Sequence, residues 1–359
     1  METELASLAA DLVRIDSRST ISNIAVAERI EAELAGFEIE RLDYIDPAGV
    51  AKRALVAHRG GPGGLALSGH MDTVPGTGWT DNPWSGSIRD GVLHGLGSVD
   101  MKGAVAACII AAKTSPRATL LITTDEETSK QGARIIAGRS VLAKQAALRG
   151  IVVAEPTGLN PVRGHRAHIA FTATAEGVQA HSSTGKGLNA NWALIPFLVE
   201  AKAMFERLRS DPTMQDSAYD PVFSDFNLVL DNHGTAMNVT VARATARIKF
   251  RYSHRIDPAP VLAVMRAAAK AHGLTLEEAH EGQPPELPAD HPLIQLAVGI
   301  TGQAPRTAPY GTDASELQAI APCVVLGPGG IETAHTPHEC VALSDLARAV
   351  PIFQSLLSA

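Results

Sequence analysis

Apolar positions recur along this chain with two different periods. Residues 3–14 carry Leu5, Leu8, Ala9 and Leu12, and residues 24–34 carry Ile24, Ala27, Ile30 and Leu34. That three-and-four spacing predicts two amphipathic helices. Phe37–Tyr44 and Arg53–His58 alternate instead, which predicts strands. Leu65–Leu67, residues 118–124 and Gly150–Ala154 are short apolar runs that stop at polar residues, as buried strands do. Gly69 is expected to end the first of them, and Pro75-Gly76 to turn the chain away. A small-residue helix is expected over Gly103–Lys113, another opening at Gly132, and a late strand over Pro322–Leu326. Helices interleaved with buried strands predict an α/β sheet flanked by helices.

The middle of the chain has its own rhythm. Ala167–Ala175, Phe226–Asp231, Ala242–Tyr252 and Leu274–Ala279 read as strands. Gly187–Arg207 and Pro258–Ala271 read as helices, the first with Trp192, Leu194, Ile195, Leu198 and Ala201 facing inward. This βαββαβ order predicts a ferredoxin-like domain over 166–283, inserted between the α/β segments 1–165 and 284–359.

Candidate chemistry collects where the buried runs end. His70 and Asp72 stand two apart, and extended backbone would put both on one side. An imidazole with a carboxylate behind it suits a metal ligand whose tautomer is fixed by its neighbour. Asp100 precedes the small-residue helix as either its N-cap or a metal-bridging carboxylate. Asp125, Glu126 and Glu127 crowd one strand tip, and three acids there repel unless a cation neutralises them. Consecutive Glu126 and Glu127 point in opposing directions, so one can ligate while the other faces a bound water. Glu155 ends the next strand. Ligands of open α/β sheets bind beyond that carboxyl edge. Either His335 or His338 would complete the set. An all-nitrogen-and-oxygen cluster with a shared carboxylate suits two Zn2+, with Co2+ or Mn2+ as substitutes, and leaves positions open for water.

Composition narrows the partners. Thirty-one basic side chains against 38 acidic ones leave a net charge of −7, without a basic block, and aromatics make up only 4%. Nucleic acid and anionic membranes are therefore not expected. No apolar stretch reaches the ~18 residues of a membrane span, and Glu2 and Glu4 stand where a secretory signal would carry basic residues. Cys108, Cys323 and Cys340 are scattered without CxxC spacing, Cys108 among core-type residues, which fits a reducing, cytoplasmic compartment.

In order, the segments SGHMDTVP (68–75), GLGSVDMKG (95–103), TTDEET (123–128), VAEPT (153–157), GVQAHSS (177–183) and GPGG with AHTPHECV (327–341) resemble the motifs of the co-catalytic dinuclear zinc amidohydrolases. That family includes acetylornithine deacetylase, succinyl-diaminopimelate desuccinylase, aminoacylase and carboxypeptidase G-type enzymes. The resemblance implies that His70, Asp100 and Glu155 hold one zinc and that Asp100, Glu127 and His335 hold the other. His335 is preferred to His338 because the family places its ligand four residues before a Glu, here Glu339. It implies further that Asp72 orients His70, that Glu126 is the general base, and that His181 and Asn238 stabilise the oxyanion. Arg251 would clamp a substrate carboxylate, and Gly311 and Thr312 would line the substrate end. The inserted domain would act as a lid and as the seam of a homodimer. The activity implied is removal of an acyl group from a small N-acyl-L-amino acid, acetylornithine or acetylcitrulline foremost. A dipeptidase or carboxypeptidase, a succinyl-diaminopimelate desuccinylase and an aryl-amine aminohydrolase are alternatives on the same site. An inactive metal-binding scaffold is the remote one, against which Glu126 and Asp72 speak, since a structural site needs neither.

Overall fold

The computed structural model describes residues 2–359. Helices α1 (Glu2–Arg14) and α2 (Ile24–Glu31) lead into strands β1 (Glu38–Ile45), β2 (Ala51–Arg59) and β3 (Leu65–His70). Short strands β4 (Ser87–Arg89) and β5 (Val92–His94) precede α3 (Gly103–Thr114) and β6 (Ala118–Thr123). Then come α4 (Gln131–Arg139), α5 (Val141–Gln145), β7 (Gly150–Val153) and β8 (Val162–His165). The middle of the chain forms β9 (Ala167–Glu176), α6 (Asn191–Ser210), β10 (Asp225–Asp231), β11 (Arg243–Tyr252), α7 (Ala259–Ala271) and β12 (Thr275–His280). The last part holds α8 (Pro292–Thr301), β13 (Arg306–Ala308), α9 (Ala314–Leu317), β14 (Cys323–Val325), β15 (Cys340–Ala342) and α10 (Leu343–Ser358). The larger of two compact units runs to Gly164 and resumes over Pro285–Thr307 and Thr312–Ala359; the smaller is His165–Pro284 with Ala308–Gly311.

In the larger unit an eight-stranded mixed sheet has the order β1-β2-β6-β3-β7-β14-β8-β13. Its middle, β6-β3-β7-β14, is parallel, and the β1–β2 and β2–β6 pairs are antiparallel. Every residue of β3, β6 and β7 is buried, which is why these strands read as unbroken apolar runs rather than alternations. Gly69 does not end β3 as expected: it pairs with Ile122 inside the strand. A Cβ there would stand 2.8 Å from Val105 Cγ2 and 2.9 Å from Met101 Cε. The glycine is a point of close approach between sheet and α3, whose residues Gly103–Ala112 are all buried.

The smaller unit is a four-stranded antiparallel sheet, order β10-β11-β9-β12, with α6 packed on β9, β11 and α7. On α6 the buried stripe is Leu194, Phe197, Ala201, Met204 and Leu208. Trp192 and Ile195, expected inward, are 71% and 45% exposed. Trp192 lies two positions before Leu194, on the far side of a 3.6-residue turn. Among the described residues no helix is long and apolar enough to cross a membrane.

Gly327, just after β14, sets how closely that strand approaches the end of β7. A Cβ there would lie 2.1 Å from the Ala154 carbonyl oxygen and 2.5 Å from that of Glu155. Gly327→Ala should therefore cost about 1–3 kcal/mol, as overpacking of a filled core does. The measurement is a lowered urea midpoint at unchanged slope.

Candidate metal centre

Four parallel strands aim their carboxyl ends at one place in the larger unit. His70 closes β3, Glu127 stands four residues beyond β6, Glu155 two beyond β7, and His335 on the loop after β14. Asp100 comes from the turn that enters α3. The Asp100 carboxylate divides itself: Oδ1 is 3.0 Å from His70 Nε2, and Oδ2 is 3.2 Å from His335 Nε2. His70 Nε2 also lies 3.9 Å from Glu155 Oε1, and His335 Nε2 lies 3.0 Å from Glu127 Oε1. Two triads result, His70–Asp100–Glu155 and Asp100–Glu127–His335, each with its donor atoms within 4.8 Å of one another. Asp100 is not the helix cap, since Lys102 occupies that position without a side-chain cap. His338 belongs to neither triad; it is exposed, and its N–H donates to Thr336 Oγ1.

The field in this cluster is that of too many carboxylates in too little water. Burial and then the charge of Asp100 push Glu155 well above the usual carboxylate range. Burial likewise takes Glu127 up to about 7, against the hydrogen bond to His335. Burial works to raise Asp100 as well, but hydrogen bonds from His335 and His70 overcome it and hold that carboxyl low. His335 is pushed up to about 11 by its bonds to Asp100 and Glu127. Nitrogen and oxygen donors in this charge balance fit a pair of divalent cations.

Asp72 is fully buried behind the His70 ring. The ring Nδ1 is closest to the Asp72 main-chain oxygen, at 3.0 Å, with carboxylate Oδ1 at 3.5 Å. That carboxylate is occupied by the next motif: Oδ1 accepts the Glu126 N–H at 3.1 Å, and Oδ2 accepts the Glu127 N–H at 3.3 Å and the Ser19 hydroxyl at 2.7 Å. One side chain thus ties the end of β3 to the turn after β6.

Asp125 does not crowd in with Glu126 and Glu127. Its φ of +62° turns it away, and its carboxylate meets Lys52 Nζ at 2.9 Å and the Tyr44 hydroxyl at 2.6 Å. Lys52, also fully buried, donates to the carbonyls of Ser19 and Ile21. Glu126 lies 3.4 Å from Lys130 Nζ, which also donates to the Thr312 carbonyl at 2.8 Å. Burial raises the Glu126 carboxyl and Lys130 opposes it. Nearby Asp313, buried and hydrogen-bonded to the Thr123 hydroxyl, is pushed up to about 8 by burial and by the charge of Glu126. Lys52 and Lys130 were not expected as site residues, and Asp313 closes the 311–313 loop expected at the substrate end.

The other expected residues lie in the smaller unit, apart from buried Thr312. His181 and Asn238 are exposed and adjoin one another, the Asn238 carbonyl accepting the Ser182 N–H at 3.0 Å. Arg251 is paired with Asp225 Oδ2 at 2.9 Å, and Gly311 is half-buried.

A pH dependence follows for protein stripped of cations. Glu127 near 7, Asp313 near 8 and His335 near 11 all lie above their ordinary values. The folded chain therefore holds protons that the unfolded chain has released, and stability falls as pH rises from about 5 to 8. Chelator-treated protein should melt at a lower temperature at pH 8 than at pH 6, and added Zn2+ should recover most of the loss. A metal-free melting temperature that is flat or rises over this range would contradict the electrostatics described.

The chain resembles known proteins over most of its length. Residues 66–359 match the model of peptidase family M20/M25/M40. An acetylornithine deacetylase of Proteus mirabilis is 33% identical over 92% of this chain and 88% of its own. One from Edwardsiella ictaluri is 35% identical over 79% of this chain and 77% of its own. The fold is shared with an M20 family metallo-carboxypeptidase from Sulfolobus solfataricus, with TM-score 0.77 at 15% identity over 99% and 98% of the two chains. It is shared also with a dinuclear metal-binding M20 peptidase from Bacillus subtilis, with TM-score 0.64 at 18% identity over 99% and 97%. The chain belongs to peptidase family M20/M25/M40, whose metal-dependent members act on amide bonds, and it is a hydrolase of that kind.

Proposed function

We propose that this enzyme removes the acyl group from a small N-acyl-L-amino acid, with acetylornithine or acetylcitrulline the foremost substrates. The observation that carries the reading is Asp100, one carboxylate shared between two histidine-containing triads, with Glu126 on the turn that supplies Glu127. The extended likeness to acetylornithine deacetylases supports the substrate class. Bound at the two triads, a pair of divalent cations, Zn2+ foremost, supplies Lewis acidity to the acyl carbonyl and to the attacking water.

The protein does the rest. Glu126 accepts the proton of that water and returns it to the amine nitrogen as the C–N bond breaks. Burial raises its hold on a proton and Lys130 restrains that rise, opposed influences that suit a group which must both take and release one. His181 and Asn238 offer donors to the oxyanion. Arg251 offers a guanidinium to the substrate carboxylate, in competition with Asp225. Gly311 and Thr312 line the substrate end. The 166–283 domain is the lid and the homodimer seam. In support, Trp192, Ile195 and Val199 are exposed along α6, and Leu228, Val229 and Leu230 along edge strand β10. The free cysteines Cys108, Cys323 and Cys340 fit a cytoplasmic location.

Glu126→Gln should retain both metals and lose at least about a hundredfold in kcat; normal turnover would remove the base assignment. Glu127→Ala should carry one metal per chain by plasma mass spectrometry, where two would contradict the ligand division. A panel of N-acetyl, N-succinyl and dipeptide substrates with Zn2+ or Co2+ should give the highest kcat/KM on N-acetyl amino acids. Preference for dipeptides would make the protein a peptidase instead.

A further inference from the structure

One buried carboxylate beside the cluster is neither a ligand nor a base. Glu339 is 1% exposed, immediately before β15. Its Oε1 accepts the N–H groups of Val99 and Asp100, each at 3.1 Å. Oε2 is buried without a partner. The main chain of Glu339 makes two further ties: its carbonyl accepts the Gly95 N–H at 3.1 Å, and its own N–H donates to the Thr336 carbonyl at 3.2 Å. Convergent backbone amides with Gly97 at φ +83° form a concavity suited to an anion. Here the chain fills that concavity from within.

A buried carboxylate held only by amides costs more than an apolar side chain in the same space. Its position explains what it does. The two oxygens of Asp100 are committed to different histidines, so a rotation of the Asp100 backbone would disturb both triads at once. His335 sits four residues before Glu339, at φ +61°, with its side chain 49% exposed. Glu339 is the element common to both: its carboxylate grips the Asp100 turn, and its backbone anchors the His335 loop.

We propose that Glu339 is a positioning residue for the Asp100–Glu127–His335 site, an internal carboxyl group seated on the Val99 and Asp100 amides that holds bridge and loop in register. This rests on the reading that each triad takes a cation. Co2+ binding to the metal-stripped full chain, followed by calorimetry and visible absorption, tests it without using activity. Wild type should take two Co2+ per chain. Glu339→Ala should take one with affinity near that of wild type and the second about 10–100-fold more weakly, with Glu339→Gln in between. Formate at tens of millimolar should restore the second affinity in Glu339→Ala, by occupying the vacated amides, while leaving wild type and Glu339→Leu unchanged. Glu339→Ala or, should that variant not fold, Glu339→Gln binding both ions as wild type does would overturn the proposal. So would weakening of both sites alike without a formate response. Wild type that takes fewer than two Co2+ would instead overturn the two-cation reading, and the proposal with it.

Discussion

The structure depends on one constraint, the disposal of negative charge at the carboxyl edge of four buried strands. Asp72, Asp100, Asp125, Glu126, Glu127, Glu155, Asp313 and Glu339 all meet there, most with little access to water. Ionised carboxylates removed from water must be paired, hydrogen-bonded or neutralised. The chain solves this for some of them with its own groups. Lys52 and Tyr44 take Asp125, Lys130 takes Glu126, and backbone amides take Asp72 and Glu339. Glu155, Glu127 and Asp100 have only two histidines among them. These three carboxylates, sharing two histidines, are the ones whose donor atoms cluster closely enough to hold cations.

The supporting groups were the hardest part to anticipate. The apolar runs, their strand ends and the acid or histidine at each end are local patterns, and the structure gathers His70, Asp100, Glu127, Glu155 and His335 into two triads. Lys52 acts through burial and long-range contact, and Lys130 joins its near neighbour Glu126 to the distant Thr312 carbonyl. In sequence, Lys52 is one polar residue at the start of an alternating strand, and nothing nearby says that it will be fully buried against residues 19, 21 and 125. Asp125 looked like a third acid at the tip because sequence shows adjacency, whereas the turn at φ +62° decides direction. Trp192 failed for a similar reason: an aromatic was placed inward by type, while the periodic stripe through Leu194 and Phe197 left it outside. Gly69 was taken for a strand break because glycine punctuates loops, yet its role is to let α3 approach.

Asp72 shows how the proposed base and a proposed ligand, neighbours in sequence, are sent in different directions. Its two oxygens take the N–H groups of Glu126 and Glu127 separately, so both peptide units are pinned to the end of the strand that carries His70. With the backbone held, consecutive side chains diverge: Glu126 goes toward Lys130 and Glu127 toward His335. A base that had drifted into a cation's coordination would no longer be free to carry a proton, and a ligand turned toward Lys130 would leave one site a donor short. Both failures are opposed by the same pair of hydrogen bonds. Removing the Asp72 carboxylate would release them together while leaving the nearest contact to the His70 ring, the Asp72 main-chain oxygen, in place. Its carboxylate, 3.5 Å from His70 Nδ1, thus holds the turn that separates Glu126 from Glu127 as well as lying behind the His70 ring.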